Sequence, residues 1–220
     1  MALEANIGRW YGGSREPSKT HKKVWRQFAS HRLGRLVVAE SRLEYDWLSV
    51  LDHDNDVSWY DDRPFAIVYS MNGSDHIYTP DLFVVRNSGA RQVVEIKHSF
   101  LVSLPETQQI LEVGRLFCAA NEYDYVVLTE KDICGARADN LKTLRRYARV
   151  DVPVGIAIAV RQAFLAVGGE LSRDELTAAL ASSGLTAQPL IPIYALIFRG
   201  TISADLDTRL SGVTRLQLNP

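Results

Sequence analysis

Cysteine is scarce in this 220-residue chain. The two present, Cys118 and Cys134, are too few for a disulfide framework and lack metal-site spacing. Both are expected to be reduced thiols of a cytoplasmic protein. No run of about 18 apolar residues occurs, which excludes a membrane-spanning helix. The opening stretch, MALEANIGRWYGG, has no apolar core of signal-peptide length, so no secretion is expected. Internal repeats and low-complexity tracts are missing too, which argues against a solenoid or a fibrous protein. What remains is ordinary for a globular protein, with 46% apolar and 23% charged residues. The length suits one large domain, or one of about 150 residues with a small companion.

Overall charge is nearly balanced, 25 Lys and Arg against 26 Asp and Glu, but its distribution is not. Residues 1–43 carry nine basic against three acidic side chains, residues 44–150 eleven against seventeen, and residues 151–220 five against six. A nucleic-acid partner would therefore find its electrostatic footprint at the N-terminus, where Lys22, Lys23, Arg26, Arg32 and Arg35 are spaced to contact phosphates. A solvated basic arm is the competing reading. Gly, Ser, Pro and basic residues mix through 8–28, and an arm over 1–29 is expected.

From Glu40 to Asp52 a helical period takes over, with Leu43, Trp47, Leu48 and Leu51 on one stripe. Runs rich in Val, Ile, Tyr and Phe follow at Val57–Tyr60, Phe65–Ser70, His76–Arg86 and Arg91–His98. After Pro105 an amphipathic helix runs to about Ala120, and Tyr125–Thr129 reads as a buried strand. Helix, strands, helix, strand predicts an α/β core with a mixed sheet over 30–150, Leu141–Arg149 contributing to a basic helix. Beyond Val154 the pattern changes. Ile156–Val167, a helix opened by the capping box Ser172-Arg173-Asp174-Glu175, and Pro189–Phe198 give three helices. Gly200–Ile202 and Val213–Leu218 could close a small hairpin, and a winged-helix domain is predicted over 151–220.

The chemistry concentrates in Tyr78-Thr79-Pro80-Asp81-Leu82-Phe83 and Val93-Val94-Glu95-Ile96-Lys97. Alternation along a strand puts Glu95 and Lys97 on one side and Val94 and Ile96 on the other. If Asn87-Ser88-Gly89 is a three-residue loop with Gly89 left-handed, Arg86 pairs with Ala90 and Asp81 falls opposite Glu95. A two-residue loop would spoil that register. Glu44 lies within the apolar helical stripe, where an ionised side chain needs a partner or a metal. Three carboxylates and an ammonium on one patch suit a divalent cation. Oxygen ligands without histidine favour Mg²⁺, with Mn²⁺ as a substitute. The alternative is a set of ordinary surface charges.

Pro80-Asp81 followed by Glu95-Ile96-Lys97 resembles the PD-(D/E)xK nuclease superfamily. Within it the chain is similar to TnsA, the endonuclease subunit of heteromeric cut-and-paste transposases. The resemblance rests on Ser30-His31-x-x-Gly34-Arg35, Ser41-x-Leu43-Glu44, Leu51-Asp52 and Val57-Ser58-Trp59-Tyr60-x-x-Arg63-Pro64, besides the two nuclease motifs. It spans about residues 30–130. Tyr194–Leu206 also looks like the winged-helix domain that ends TnsA. The resemblance implies a restriction-endonuclease-like fold and catalytic residues Glu44, Asp81, Glu95 and Lys97. Asp81, Glu95 and the Ile96 carbonyl would hold one metal, Glu44 would complete or support a second position, and Lys97 would orient or help deprotonate the attacking water. It further implies cleavage of transposon 5′ ends in double-stranded DNA. The implied partners are an integrase-type, TnsB-like subunit and a TnsC-like ATPase bound through the C-terminal region. A stand-alone restriction or repair nuclease, or a catalytically silent DNA-binding adaptor, remains open.

Other polar residues are assigned blander roles. His98 points away from Lys97 on an alternating strand, His53, Asp54 and Asp56 form a solvated acidic loop, and Trp47 is core. Pro189–Phe198 sits where a recognition helix would lie, yet its face is apolar (Leu190, Ile191, Ile193, Leu196, Ile197), which suits core or protein docking.

Overall fold

A computed structural model describes residues 25–219 of the chain, so Lys22, Lys23 and most of the expected arm lie outside the described residues. Two compact units result, Met1–Cys134 and Gly135–Pro220.

The first unit opens with a hairpin, β1 (Arg26–Ala29) and β2 (Leu36–Ala39), and helix α1 (Arg42–His53) follows. Ser41 caps α1, its hydroxyl accepting from the Glu44 N–H. Strands β3 (Val57–Asp62), β4 (Ile67–Met71), β5 (Ser74–Tyr78), β6 (Leu82–Arg86) and β7 (Arg91–Ile96) come next. A short helix α2 (Ser99–Val102), a long helix α3 (Pro105–Ala120), strand β8 (Asp124–Leu128) and a short helix α4 (Glu130–Ile133) complete the unit. Four strands form the main sheet in the order β3-β6-β7-β8. The first three run antiparallel, and β8 joins parallel to β7 after the α3 crossover. The sheet is therefore mixed, with helices flanking it, as a nuclease-like core requires.

Two apolar layers cover the sheet. One gathers Leu43, Leu48 and Leu51 of α1, Phe28 and Val37 of the hairpin, and Leu82, Val84, Val94 and Ile96. The other gathers Val113, Phe117 and Cys118 of α3 with Val93, Ile67, Tyr69 and Tyr78. Trp47 is only partly buried against the first layer.

Three expectations change. The arm does not extend through residue 29, because Arg26–Ala29 pairs with β2 and Phe28 is fully buried. The run His76–Arg86 is two strands: Pro80 has no N–H to give a ladder, and β5 pairs with β4 while β6 pairs with β3 and β7. The turn joining β4 to β5 is Asn72-Gly73, with φ of 53° and 76°, the left-handed pair that a two-residue hairpin prefers. Finally, the boundary lies at Cys134–Gly135, not 150–151.

The last change has a local cause in the second unit. Its first helix, α5 (Ala136–Arg145), carries the buried Asn140, whose side chain donates to the carbonyls of Leu206 (2.9 Å) and Thr208 (2.7 Å) and accepts from the Leu210 N–H (3.1 Å). Helix α6 (Val154–Val167), strand β9 (Glu170–Ser172), helices α7 (Arg173–Ser182) and α8 (Leu190–Phe198), and strands β10 (Ile202–Ala204) and β11 (Arg215–Leu218) follow. A three-stranded antiparallel sheet in the order β10-β11-β9 results. The capping box at Ser172 and Glu175 opens α7 as expected. No described helix is long and apolar enough to cross a membrane.

Candidate active site

The turn between β6 and β7 has the three-residue form. Arg86 N–H donates to Ala90 O (2.9 Å), Gly89 N–H to Arg86 O (2.9 Å), and Gly89 has φ +86°. Leu82 pairs with Val94, so the next step outward sets Asp81 against Glu95. Asp81 lies one residue before β6, and its Oδ2 accepts from the Ile96 N–H at 2.7 Å. Glu95 is 2% exposed and Lys97 follows the strand end, its N–H donating to Leu128 O at 2.9 Å.

Glu44, Asp81, Glu95 and Lys97 all line one cleft of about 230 Å³, with Val38, Glu40, Arg63, Tyr78 and Thr79 among the other walls. The Lys97 ammonium pairs with Glu95 Oε1 and stands 3.9 Å from Asp81 Oδ2. Glu44 reaches the cleft from the first turn of α1 and not from the middle of a stripe. Its Oε2 accepts from the Glu40 N–H at 2.7 Å, which ties the side chain back to the segment leading into the helix.

Burial and then the Asp81 charge push the Glu44 carboxyl up to about 7, against hydrogen bonds from the Glu40 N–H and Ser41. Burial and then Glu95 raise Asp81, opposed by Lys97 and the Ile96 N–H. Burial disfavours the Lys97 ammonium, but Asp81 and Glu95 outweigh it and hold its pKa above the ordinary lysine value. Lys97 is therefore a proton-bearing donor in this arrangement. Burial and Glu95 also raise the phenols of Tyr78 and Tyr125, which stay protonated.

Among the described residues no three His, Cys, Asp or Glu side chains are grouped so that they could hold one ion. Asp81 and Glu95 meet instead across Lys97, whose ammonium occupies the place between them. The donors are nonetheless hard oxygens, and the raised Glu44 and Asp81 carboxyls mark an anionic excess that a divalent cation would relieve. The chemistry of the set fits such an ion, provided Lys97 gives way.

Three contributors were not singled out as site residues from the sequence. Tyr78 donates to Glu95 Oε2 at 2.6 Å and lies 3.0 Å from the Tyr125 hydroxyl. Tyr78 stands three residues before Asp81, but nothing in the spacing reveals Tyr125, which arrives through the parallel pairing of Val93 with it. Arg63 has φ +50°, a conformation that costs a non-glycine residue about 1–3 kcal/mol. Its N–H donates to Asp81 O at 3.1 Å, and its guanidinium meets Glu40 at 3.2 Å and lies over the Trp25 ring at 4.6 Å.

The basic residues divide. Arg26 is exposed on β1. Arg35 pairs with Asp61 and, at 3.0 Å, with Asp62. Arg32 is committed to the fold and not to a phosphate: its guanidinium donates to the carbonyls of Val57, Asp52 (3.4 Å) and Asp54 (2.7 Å). Asp54 meets Arg86 at 2.7 Å, and His98 stands 3.5 Å from Glu130 and stacks on Phe100, so neither belongs to the cleft.

Residues 54–130 match the family model described as the TnsA-like endonuclease N-terminal domain. This segment belongs to the TnsA-like endonucleases. The match contains Asp81, Glu95 and Lys97 and starts after Glu44, which α1 brings to the same cleft. No relative among curated proteins matches the sequence. The match supports a TnsA-like nuclease domain over this segment.

Proposed function

We propose that the chain is a metal-dependent DNA endonuclease that cuts the 5′ ends of a transposon as the TnsA-like subunit of a heteromeric transposase. The observation that carries this reading is the convergence of Glu44, Asp81, Glu95 and Lys97 on one cleft of a TnsA-like domain. Asp81 and Glu95, with the Ile96 carbonyl, would hold Mg²⁺ or Mn²⁺, and Glu44 would complete or support a second position. Bound there, the ion would supply Lewis acidity toward the scissile phosphate and lower the pKa of a coordinated water.

The chain's own groups do the rest. The Ile96 N–H fixes one oxygen of Asp81. Lys97, kept ionised by its two carboxylates, donates hydrogen bonds to the attacking water or to phosphate oxygens and adds positive charge where negative charge develops. With a cation sharing those carboxylates, Lys97 would orient the attacking water or help to deprotonate it.

In the C-terminal unit, the order helix, strand, two helices, two strands that follows α5 supports a winged-helix reading. Helix α8 buries Ile193, Ala195, Leu196 and Ile197, which makes it a core helix and a poor reader of bases. The unit would then serve as a dock for an ATPase regulator, while an integrase-type subunit cuts and joins the 3′ ends. A cytoplasmic site of action on DNA goes with this role.

The test is a strand-specific nicking assay on transposon-end DNA with Mg²⁺, with and without the integrase-type partner. Cuts at the 5′ ends that depend on the partner are expected. Partner-independent cutting of unrelated DNA would favour a stand-alone nuclease, and no cutting under any condition would sink the nuclease reading.

A further inference from the structure

Two phenols, Tyr78 buried and Tyr125 partly buried, meet at the candidate site without a part in the chemistry above. Tyr78 is 5% exposed, the last residue of β5, and its hydroxyl donates to Glu95 Oε2 at 2.6 Å. The other oxygen, Oε1, accepts from Lys97. Because the Tyr78 proton is committed to Glu95, the 3.0 Å contact between the phenols requires Tyr125 to donate to the Tyr78 oxygen. The result is a one-way chain, Tyr125 to Tyr78 to Glu95, drawing on β8, β5 and β7.

The packing behind Tyr125 is specific. Gly114 stands in the interior of α3, where glycine costs about 1 kcal/mol relative to alanine. A Cβ on Gly114 would lie 2.6 Å from the Tyr125 hydroxyl and 2.5 Å from its ring edge. The helix thus gives up a better helix former at the point where the phenol crosses it.

We propose that Tyr78, backed by Tyr125, is a positioning residue that holds Glu95 Oε2 in a hydrogen bond and leaves Oε1 as the oxygen more readily presented to a ligand. The inference rests on the metal-site reading above. It makes Glu95 a one-oxygen ligand once Lys97 moves aside, with its carboxylate plane fixed before any ion arrives. Losing a hydrogen bond that orients a metal ligand costs about 10- to 100-fold in metal affinity or activity.

The test is a Mn²⁺ titration followed by thermal melting on the full chain, wild type against Tyr78→Phe, Tyr125→Phe and Gly114→Ala. Tyr78→Phe should raise the half-saturating Mn²⁺ concentration about 10-fold or more, and lower kcat for nicking with KM for DNA unchanged. Tyr125→Phe and Gly114→Ala should raise it less, since Tyr78 still donates. If these variants melt lower but saturate at the wild-type Mn²⁺ concentration, the phenols only pack the core and the inference is overturned. Should Tyr78→Phe not fold, Tyr125→Phe carries the same comparison. A wild type that does not respond to Mn²⁺ at all would overturn the metal-site reading and this inference with it.

Discussion

Glu44→Gln separates a metal ligand from a structural carboxylate. In the folded protein the Glu44 carboxyl sits at about 7, against an ordinary value of 4.5. A raised carboxyl pKa means that the folded state holds its proton more tightly than the unfolded chain does. Its favourable contribution is complete below pH 4.5 and lost as pH rises through 7. At pH 8 the ionised side chain therefore burdens the fold by about 2–3 kcal/mol, at 1.36 kcal/mol per pKa unit with some allowance for partial exposure. Glutamine removes the charge and keeps an oxygen for the Glu40 N–H, while its new amide can donate toward Asp81. Without metal at pH 8, Glu44→Gln should melt about 5–10 °C above wild type, and the gap should close near pH 4. With Mg²⁺ the gap narrows. An ion at 100 times its dissociation constant stabilises by about 2.7 kcal/mol, and a tenfold loss of affinity removes about 1.4 of that. Melting curves in EDTA and in Mg²⁺ or Mn²⁺, at pH 4 and pH 8, read all four cases. A mutant that melts lower than wild type in EDTA at pH 8 would refute the electrostatic argument. Equal metal-induced shifts in both proteins would remove Glu44 from the site.

Further outcomes follow from the same geometry. Asp81→Ala and Lys97→Ala should each cut nicking by about 100-fold or more while DNA affinity stays near wild type; wild-type rates in either purified protein would remove these residues from the chemistry. Replacing Lys22, Lys23 and Arg26 by Gln should weaken binding to unrelated DNA sequences alike and flatten the dependence of log K on log salt by about two to three, as measured by fluorescence anisotropy. An unchanged slope would make the segment a solvated surface. Arg32→Ala should lower stability by about 2–3 kcal/mol in urea unfolding, because three carbonyls lose their donor, and leave DNA affinity untouched. A loss of affinity without a loss of stability would return Arg32 to the DNA interface.

The register of the central hairpin was legible because one turn determines it. Gly89 in a three-residue loop sets Asp81 against Glu95, and alternation then sorts Glu95 from Val94 and Ile96. The Asn72-Gly73 turn emerges only from the structure, and Pro80 is the sign that the run His76–Arg86 is two strands. Phe28 belongs to a hairpin strand that basic neighbours disguise as an arm. β9 is three residues long, too short for any period to register. Tyr125 was out of reach for a different reason: its place beside Val93 depends on a parallel pairing that no local turn dictates. Glu44 shows the limit of periodicity. Its spacing from Leu48 and Leu51 implies a buried stripe, but a residue in the first turn can fold back toward the open backbone N–H groups, and Glu44 does.

The position of β7 in the sheet bears on when during synthesis the enzyme becomes competent. Glu95 and Lys97 are carried by an interior strand whose second neighbour, β8, ends at Leu128, and the Lys97 N–H finds its acceptor only there. A nascent chain that has emerged as far as Lys97 holds all four candidate catalytic residues but lacks the strand that completes the ladder around two of them. It also lacks Tyr125 and the α3 crossover that covers one face. Such a chain has an unpaired β7 edge and no fixed geometry at Glu95. Cutting activity should therefore appear only after β8 has left the ribosome, so fragments stalled before β8 would be inert toward DNA.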